Sequence, residues 1–151
     1  MEKLRKLLFL LPIFFLCSCR GEEEPVNTDF VFDWTGTGTY AYSQVKDKTI
    51  FYSNIFGIDE ENYYVYFFSK TCSHCNELKD FIIPLALERD NLYFVEACDQ
   101  IVIIKDASTT IGLSEIDNFG ILGYPSLVKI EEKIVSKNLA GINPIKNELT
   151  N

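Results

Sequence analysis

Histidine occurs once in the 151 residues, as His74, and tryptophan once, as Trp34; methionine stands only at position 1. One histidine and a single CxxC pair, Cys72 and Cys75, argue against a four-ligand zinc site. Lys and Arg number 14 against 22 Asp and Glu, a formal charge of −8, and that sign argues against nucleic acid as a partner. No GK[ST] follows the glycine-rich residues 35–39, so they do not make a phosphate loop. There is no internal repeat. The longest apolar run, residues 7–16, is too short for a comfortable transmembrane helix. What remains is an apolar fraction of 47% with 14% aromatics, ample for the core of one domain plus an appendage.

The centre of the chain is residues 63–83. Its aromatic, β-branched first part predicts a buried strand ending at Ser69, Lys70 and Thr71. Leu78, Phe81 and Ile82 then fall at helical spacing. Cys72 and Cys75 sit at this strand-to-helix junction, three positions apart, which brings both sulfurs to the first helical turn within reach of a disulfide. The first sulfur also faces unpaired backbone N–H groups and the positive end of the helix dipole, both favouring a thiolate. His74 can add a positive charge or a hydrogen bond there. The chemistry implied is thiol–disulfide exchange. A lone CxxC is also read as half of a zinc site or as two core cysteines.

The segment Phe67-Phe-Ser-Lys-Thr-Cys-Ser-His-Cys75 resembles the active-site segment of the thioredoxin superfamily. Some 50 residues later, Phe119-Gly-Ile-Leu-Gly-Tyr-Pro-Ser-Leu-Val-Lys-Ile130 resembles that family's cis-proline segment. The resemblance covers residues 60–149 and implies an α/β thioredoxin fold, a central mixed β-sheet flanked by helices. It implies catalysis by Cys72 and Cys75, redox tuning by His74, and a substrate groove shaped by Tyr124 and Pro125, which pairs in β fashion with an extended substrate. Neither cofactor nor metal is implied, because the cysteine pair carries the electrons. Histidine before the second cysteine resembles oxidants and isomerases, whose reduced thiolate it favours. Small lipoproteins resembling bacteriocin transport accessory proteins carry similar sequences.

Two departures from that family stand out. Where thioredoxins keep a buried acid six residues before the first cysteine, this chain has Tyr66, a poor proton acceptor near neutral pH. Water or another acid, with Glu96 as candidate, is then expected to take the proton. Pro84 lies later than the family's kinking proline, so the helix is expected to run further before bending.

A basic start followed by residues 7–16 is the layout of a secretory signal. It closes on Leu16-Cys-Ser-Cys19, which resembles a bacterial lipobox. The organisation expected is therefore a signal peptide over 1–18, a lipidated Cys19 with an acidic tether over 19–28, and a thioredoxin-like domain over 29–151. The alternative is an ordinary signal peptide in which Cys17 and Cys19 are incidental. Loss of residues 1–18, with three basic and one acidic side chain, would deepen the charge from −8 to −10. Acyl chains on Cys19 would hold the domain at the membrane, outside the cytoplasm, where disulfides persist.

Elsewhere, residues 29–34 are expected as a short strand or arm, 40–45 as an edge strand, and 47–56 as a helix. Residues 91–99 predict the next strand, with Cys98 at its end as a buried structural thiol or, alternatively, an accessory redox thiol. Residues 114–119 suit a helix, 127–135 a hairpin turning at 131–133, and Asn143-Pro144 the start of the last helix. The function expected is a membrane-anchored extracytoplasmic thiol–disulfide oxidoreductase. Its partners would be exported protein thiols or disulfides, a redox partner protein, and the membrane through the lipid anchor. The rival readings are a thioredoxin-fold binding or transport-accessory lipoprotein without redox turnover, and a metal-handling protein using Cys72, His74 and Cys75.

Overall fold

The computed structural model describes residues 40–151. The lipobox with Cys19, the acidic tether and the expected arm at 29–34 lie outside the described residues. In chain order the elements are β1 (Asn62–Phe68), α1 (Ser73–Glu88), β2 (Leu92–Glu96), β3 (Val102–Ile103), β4 (Gly120–Ile121), β5 (Ser126–Glu131), β6 (Ile134–Ala140) and α2 (Ile142–Thr150). The main sheet has the order β2-β1-β5-β6. The β1–β2 pair is parallel, and β1–β5 and β5–β6 are antiparallel. A parallel βαβ half joined to an antiparallel ββα half, with a CxxC at the first helix, is the thioredoxin-like architecture the two motifs imply.

β1 is buried on both faces, which is why it reads as an unbroken aromatic and β-branched run. Tyr66 and Phe68 join Phe94, Leu92 and Leu127 beneath Leu78, Ile82 and Ile83 of α1 and Ile145 and Leu149 of α2. Tyr63, Val65 and Phe67 point the other way, into a second cluster with Ile55, Phe119, Ile121, Val128 and Ile130. Both helices therefore cover one face. α1 continues through Pro84 to Glu88, so the proline forfeits one backbone bond without ending the helix.

The other face is covered by segments expected to be helical that are not. Residues 47–56, rich in β-branched and aromatic residues, form no α-helix; Tyr52–Asn54 is a single 3-10 turn. It is pinned by tertiary bonds, Tyr52 Oη donating to the Phe119 carbonyl (2.9 Å) and Tyr63 Oη to that of Ile55 (2.6 Å). Residues 114–119 form bends and a turn rather than a helix, and Phe119 packs against Phe56 and Phe67 at ring-centre distances of 5.8 and 6.0 Å. The chain then enters β4, which pairs in parallel with β3.

Residues 40–45 are not an edge strand either. The chain there turns as a 3-10 helix, Tyr42–Lys48, closed at its start by the Gln44 side chain accepting from Ala41 N–H (2.8 Å). The turn lays the Tyr42 ring flat on Phe68, centres 3.9 Å apart. Pairing at the free edge of β2 falls to the next residues: Thr49 bridges Phe94 in parallel, and Ile50 N–H donates to the Phe94 carbonyl at 2.8 Å.

The hairpin between β5 and β6 turns at Glu132 and Lys133, both at positive φ (53° and 66°), the twist a two-residue connection needs. Lys133 holds its strained backbone by donating to the Ile58 carbonyl. The last helix is capped two residues earlier than expected, at 141 rather than 143. Gly141, at φ 88°, takes the cap position, and Pro144 falls inside the first turn, where a missing N–H costs nothing.

β3 and β4 approach closely at Gly120. A Cβ there would meet the Ile104 side chain at 2.6 Å and the Val102 carbonyl at 2.8 Å, and the carbonyl is backbone that cannot swing aside. Gly120→Ala is expected to destabilise the domain by about 1–3 kcal/mol, the usual cost of overpacking. Urea unfolding measures it, and an unmoved midpoint would contradict the close approach.

Candidate functional site

β1 ends where its buried face meets solvent, and the chain reverses over three residues. Ser69 organises the turn: its carbonyl accepts from Cys72 N–H (3.1 Å) and its Oγ from Thr71 N–H (3.3 Å). Cys72 then takes the N-cap of α1, a place usually held by Ser, Asp or Asn. Its Sγ accepts the Cys75 backbone N–H at 3.2 Å, so the sulfur satisfies one of the helix's unpaired donors. The same bond draws Cys75 back over Cys72.

Opposite stands the loop between β4 and β5. The Tyr124–Pro125 peptide is cis, as the second motif implies. The loop is tied at both ends, Ser126 Oγ donating to the Gly123 carbonyl (2.7 Å) and the Pro125 carbonyl accepting from Gly141 N–H (3.0 Å). The Cys72 thiol donates to the Tyr124 carbonyl at 3.5 Å. Cys72, Cys75, Tyr124 and Pro125 thus meet in one place.

Burial separates the two thiols, both of which are free. Cys72 is half-buried at the rim, whereas Cys75 is fully enclosed. Burial pushes the Cys75 thiol up to about 12, helped by its hydrogen bond to Cys72 and opposed by the Ser69 backbone and the Tyr66 hydroxyl. Cys72 is therefore the accessible thiol of the pair, and Cys75 the enclosed one.

His74 is placed on the first turn of α1 but faces solvent. Among the described residues, no three His, Cys, Asp or Glu side chains converge to hold a metal ion, so Cys72, His74 and Cys75 do not form a ligand set. Glu96, the candidate proton acceptor, is turned outward and paired with Lys70 at 2.9 Å. Cys98 is exposed rather than buried, because β2 ends at Glu96 and the chain leaves the core before reaching it. Cys98 and Cys75 both lie near enough to Tyr124 to raise its phenol, after the larger effect of burial.

Sequence reasoning missed Tyr42. Its Oη donates to the Cys75 carbonyl (2.9 Å) and lies 3.4 Å from Tyr66 Oη. Both phenols are held well above the ordinary range, chiefly by burial. Nothing in residues 40–45 marks Tyr42, since the contact depends on a tertiary stack with Phe68.

The unequal burial has a direct chemical readout. Brief alkylation of the native dithiol at neutral pH is expected to label Cys72 and Cys98 and to spare Cys75. Because its thiol is raised, Cys75 stays protonated, and its labelling should climb only as the pH approaches 12. Peptide mass spectrometry reads each site, and early modification of Cys75 would overturn the assignment.

No family model matches this chain, and no curated protein does. Solved structures of thioredoxins are similar at low identity. The short form of thioredoxin f from spinach chloroplast shares 16% identity over 68% of this chain and 88% of its own, with a TM-score of 0.47. Thioredoxin from Plasmodium falciparum shares 17% over 68% of this chain and 96% of its own, with a TM-score of 0.43. Mitochondrial thioredoxin 3 from Saccharomyces cerevisiae, in its oxidized form, shares 12% over 67% of this chain and 89% of its own, with a TM-score of 0.43.

Proposed function

We propose that this protein is a thiol–disulfide oxidoreductase, anchored at the outer side of a bacterial cell membrane through Cys19, that exchanges disulfides with exported proteins. The observation that carries the redox reading is the placement of the Cys72 thiol. It caps α1, stands over Cys75 and lies 3.5 Å from the Tyr124 carbonyl beside a cis-proline.

In the reducing direction the Cys72 thiolate attacks a substrate disulfide, R–S–S–R′, and expels R′–S⁻. The mixed disulfide Cys72–S–S–R forms. The Cys75 thiolate then attacks the Cys72 sulfur, closing Cys72–Cys75 and releasing R–S⁻. Two electrons pass from the dithiol to the substrate, and the reverse sequence oxidises a substrate dithiol. Tyr124 and Pro125 offer backbone beside Cys72 to an extended substrate segment. His74, on the same turn, biases the pair toward the reduced form.

Equilibration of a soluble domain with glutathione is expected to give a potential between about −120 and −200 mV, the range of oxidants and isomerases. Cys72→Ser should abolish exchange, while Cys98→Ser should leave it intact. A value near −270 mV would reverse the physiological direction, and the lack of any reversible couple would remove the enzyme reading in favour of a binding role.

The anchoring is tested separately. In a bacterial host supplied with radiolabelled palmitate, the full chain is expected to carry label and to sediment with membranes. Cys19→Ser should lose both, and label retained by that variant would refute lipidation at Cys19.

A further inference from the structure

The first turn of a helix is its loosest part, because its leading N–H groups have no partner within the helix. In α1 that turn carries both thiols of the CxxC pair. Cys72 N–H donates to the Ser69 carbonyl (3.1 Å), Asn76 N–H to the Cys72 carbonyl (3.1 Å), and Cys75 N–H to Cys72 Sγ (3.2 Å). The last of these depends on the reactive sulfur itself. Once Cys72 is joined to a substrate, its sulfur is a weak neutral acceptor that can no longer be a thiolate. The turn is then least secure when Cys75 has to attack.

A further bond comes from outside the helix and involves no sulfur. Tyr42 Oη donates to the Cys75 carbonyl at 2.9 Å, and a carbonyl has a second lone pair free of the helical bond to receive it. That carbonyl belongs to the same peptide unit as Asn76 N–H, which donates to Cys72. Hydrogen bonds at the two ends of one peptide polarise it and strengthen each other. Tyr42 is thus linked through a single peptide to the backbone of Cys72. Tyr42 is itself held. Its ring lies on Phe68 at 3.9 Å, and with its hydrogen committed to Cys75 its oxygen accepts from Tyr66 Oη at 3.4 Å. Its segment is fastened to α1 by Tyr40 N–H donating to Asp80 Oδ1 (3.4 Å). It is fastened to β2 by Ile50 N–H donating to the Phe94 carbonyl (2.8 Å).

We propose that Tyr42 is a positioning residue for ring closure: its hydroxyl holds the Cys75 backbone in place while Cys72 is joined to a substrate. The inference rests on the thiol–disulfide exchange reading and adds a residue to that site. The step it serves is attack of the Cys75 thiolate on the Cys72 sulfur, its proton having gone to water beforehand. The Cys72–Cys75 bond forms, the S–S bond between Cys72 and R breaks, and the electron pair of that bond leaves on R–S⁻. In the closed disulfide the covalent bond fixes the turn by itself. Tyr42 therefore pre-organises only the open forms. Removing its hydroxyl makes closure slower and less favourable, and leaves the first reaction at Cys72 unchanged.

The test uses the full chain with Cys98→Ser in mixtures of reduced and oxidised glutathione. Free thiols are trapped at chosen times, and the tryptic fragment 71–79, whose only cysteines are Cys72 and Cys75, is weighed. Its mass distinguishes the dithiol, the glutathione mixed disulfide and the ring disulfide, so closure is read apart from the first reaction. Tyr42→Phe keeps the stacked ring. It is expected to lower the closure rate and the closure equilibrium constant about threefold to tenfold, the usual net effect of one neutral hydrogen bond. Formation of the mixed disulfide should stay within about twofold of the parent. Gln44→Ala, which unfastens the exposed start of the Tyr42 turn, should act the same way by less, and carries the test if Tyr42→Phe does not fold. Tyr64→Phe deletes a hydroxyl that bonds Glu148 instead, and should change neither quantity. Unaltered closure in folded Tyr42→Phe, or an equal loss in Tyr64→Phe, would overturn the proposal. A parent protein that forms the mixed disulfide and never closes would instead sink the exchange reading on which it rests.

Discussion

The two-sided burial of β1 is the constraint on which the rest of the molecule depends. A strand with solvent on neither face must be apolar at every position, and residues 63–68 supply tyrosine, valine and phenylalanine without a break. Covering it takes two separate clusters, one beneath α1 and α2 and one beneath the irregular segments on the far side. Both clusters run the length of the strand, so its end is sharply defined. There the backbone turns into solvent over residues 69–71, and Cys72 takes the cap of the next helix. The position of the thiol thus follows from the core.

The same geometry makes two identical side chains unequal. Cys72 and Cys75 are three residues apart, yet one faces the rim and the cis-proline loop while the other is fully buried in the core under the helix. On the exchange reading proposed above, attack and resolution need such a division, because a partner must reach the first thiol and must not trap the second. Burial supplies it without any charged residue in the site. The cost is a resolving thiol that ionises with difficulty.

What could be read in advance was whatever repeats a local rule. The β1 run, the CxxC junction, the Tyr124-Pro125 pair and the hairpin at Glu132-Lys133 each carry their signal within a few residues. The second face of the sheet did not. Residues 47–56 and 114–119 have helix-compatible stretches, but Tyr52, Phe56 and Phe119 are claimed by one another across the fold, and α-helical geometry would pull them apart. Tyr42 was invisible for the same reason, since its role is set by Phe68 and Tyr66. Cys98 misleads because a cysteine next to a strand is usually buried, whereas β2 ends two residues before it. The start of α2 slipped because Gly141 at positive φ caps the helix before Asn143 can.

Tyrosine where the related fold keeps an acid is intelligible as a consequence of that core. A carboxylate at position 66 would sit among Phe68, Phe94 and Leu127 with few donors to solvate it, and would be uncharged or destabilising. A phenol meets the same space with an aromatic ring, edge-on to Phe94 at 5.6 Å, and its hydroxyl lies 3.4 Å from that of Tyr42. It gives up the capacity to hold a proton and keeps the capacity to donate one hydrogen bond. On the exchange reading, the Cys75 proton must leave before the departing thiolate forms, so water carries it away and the thiolate takes one back afterwards.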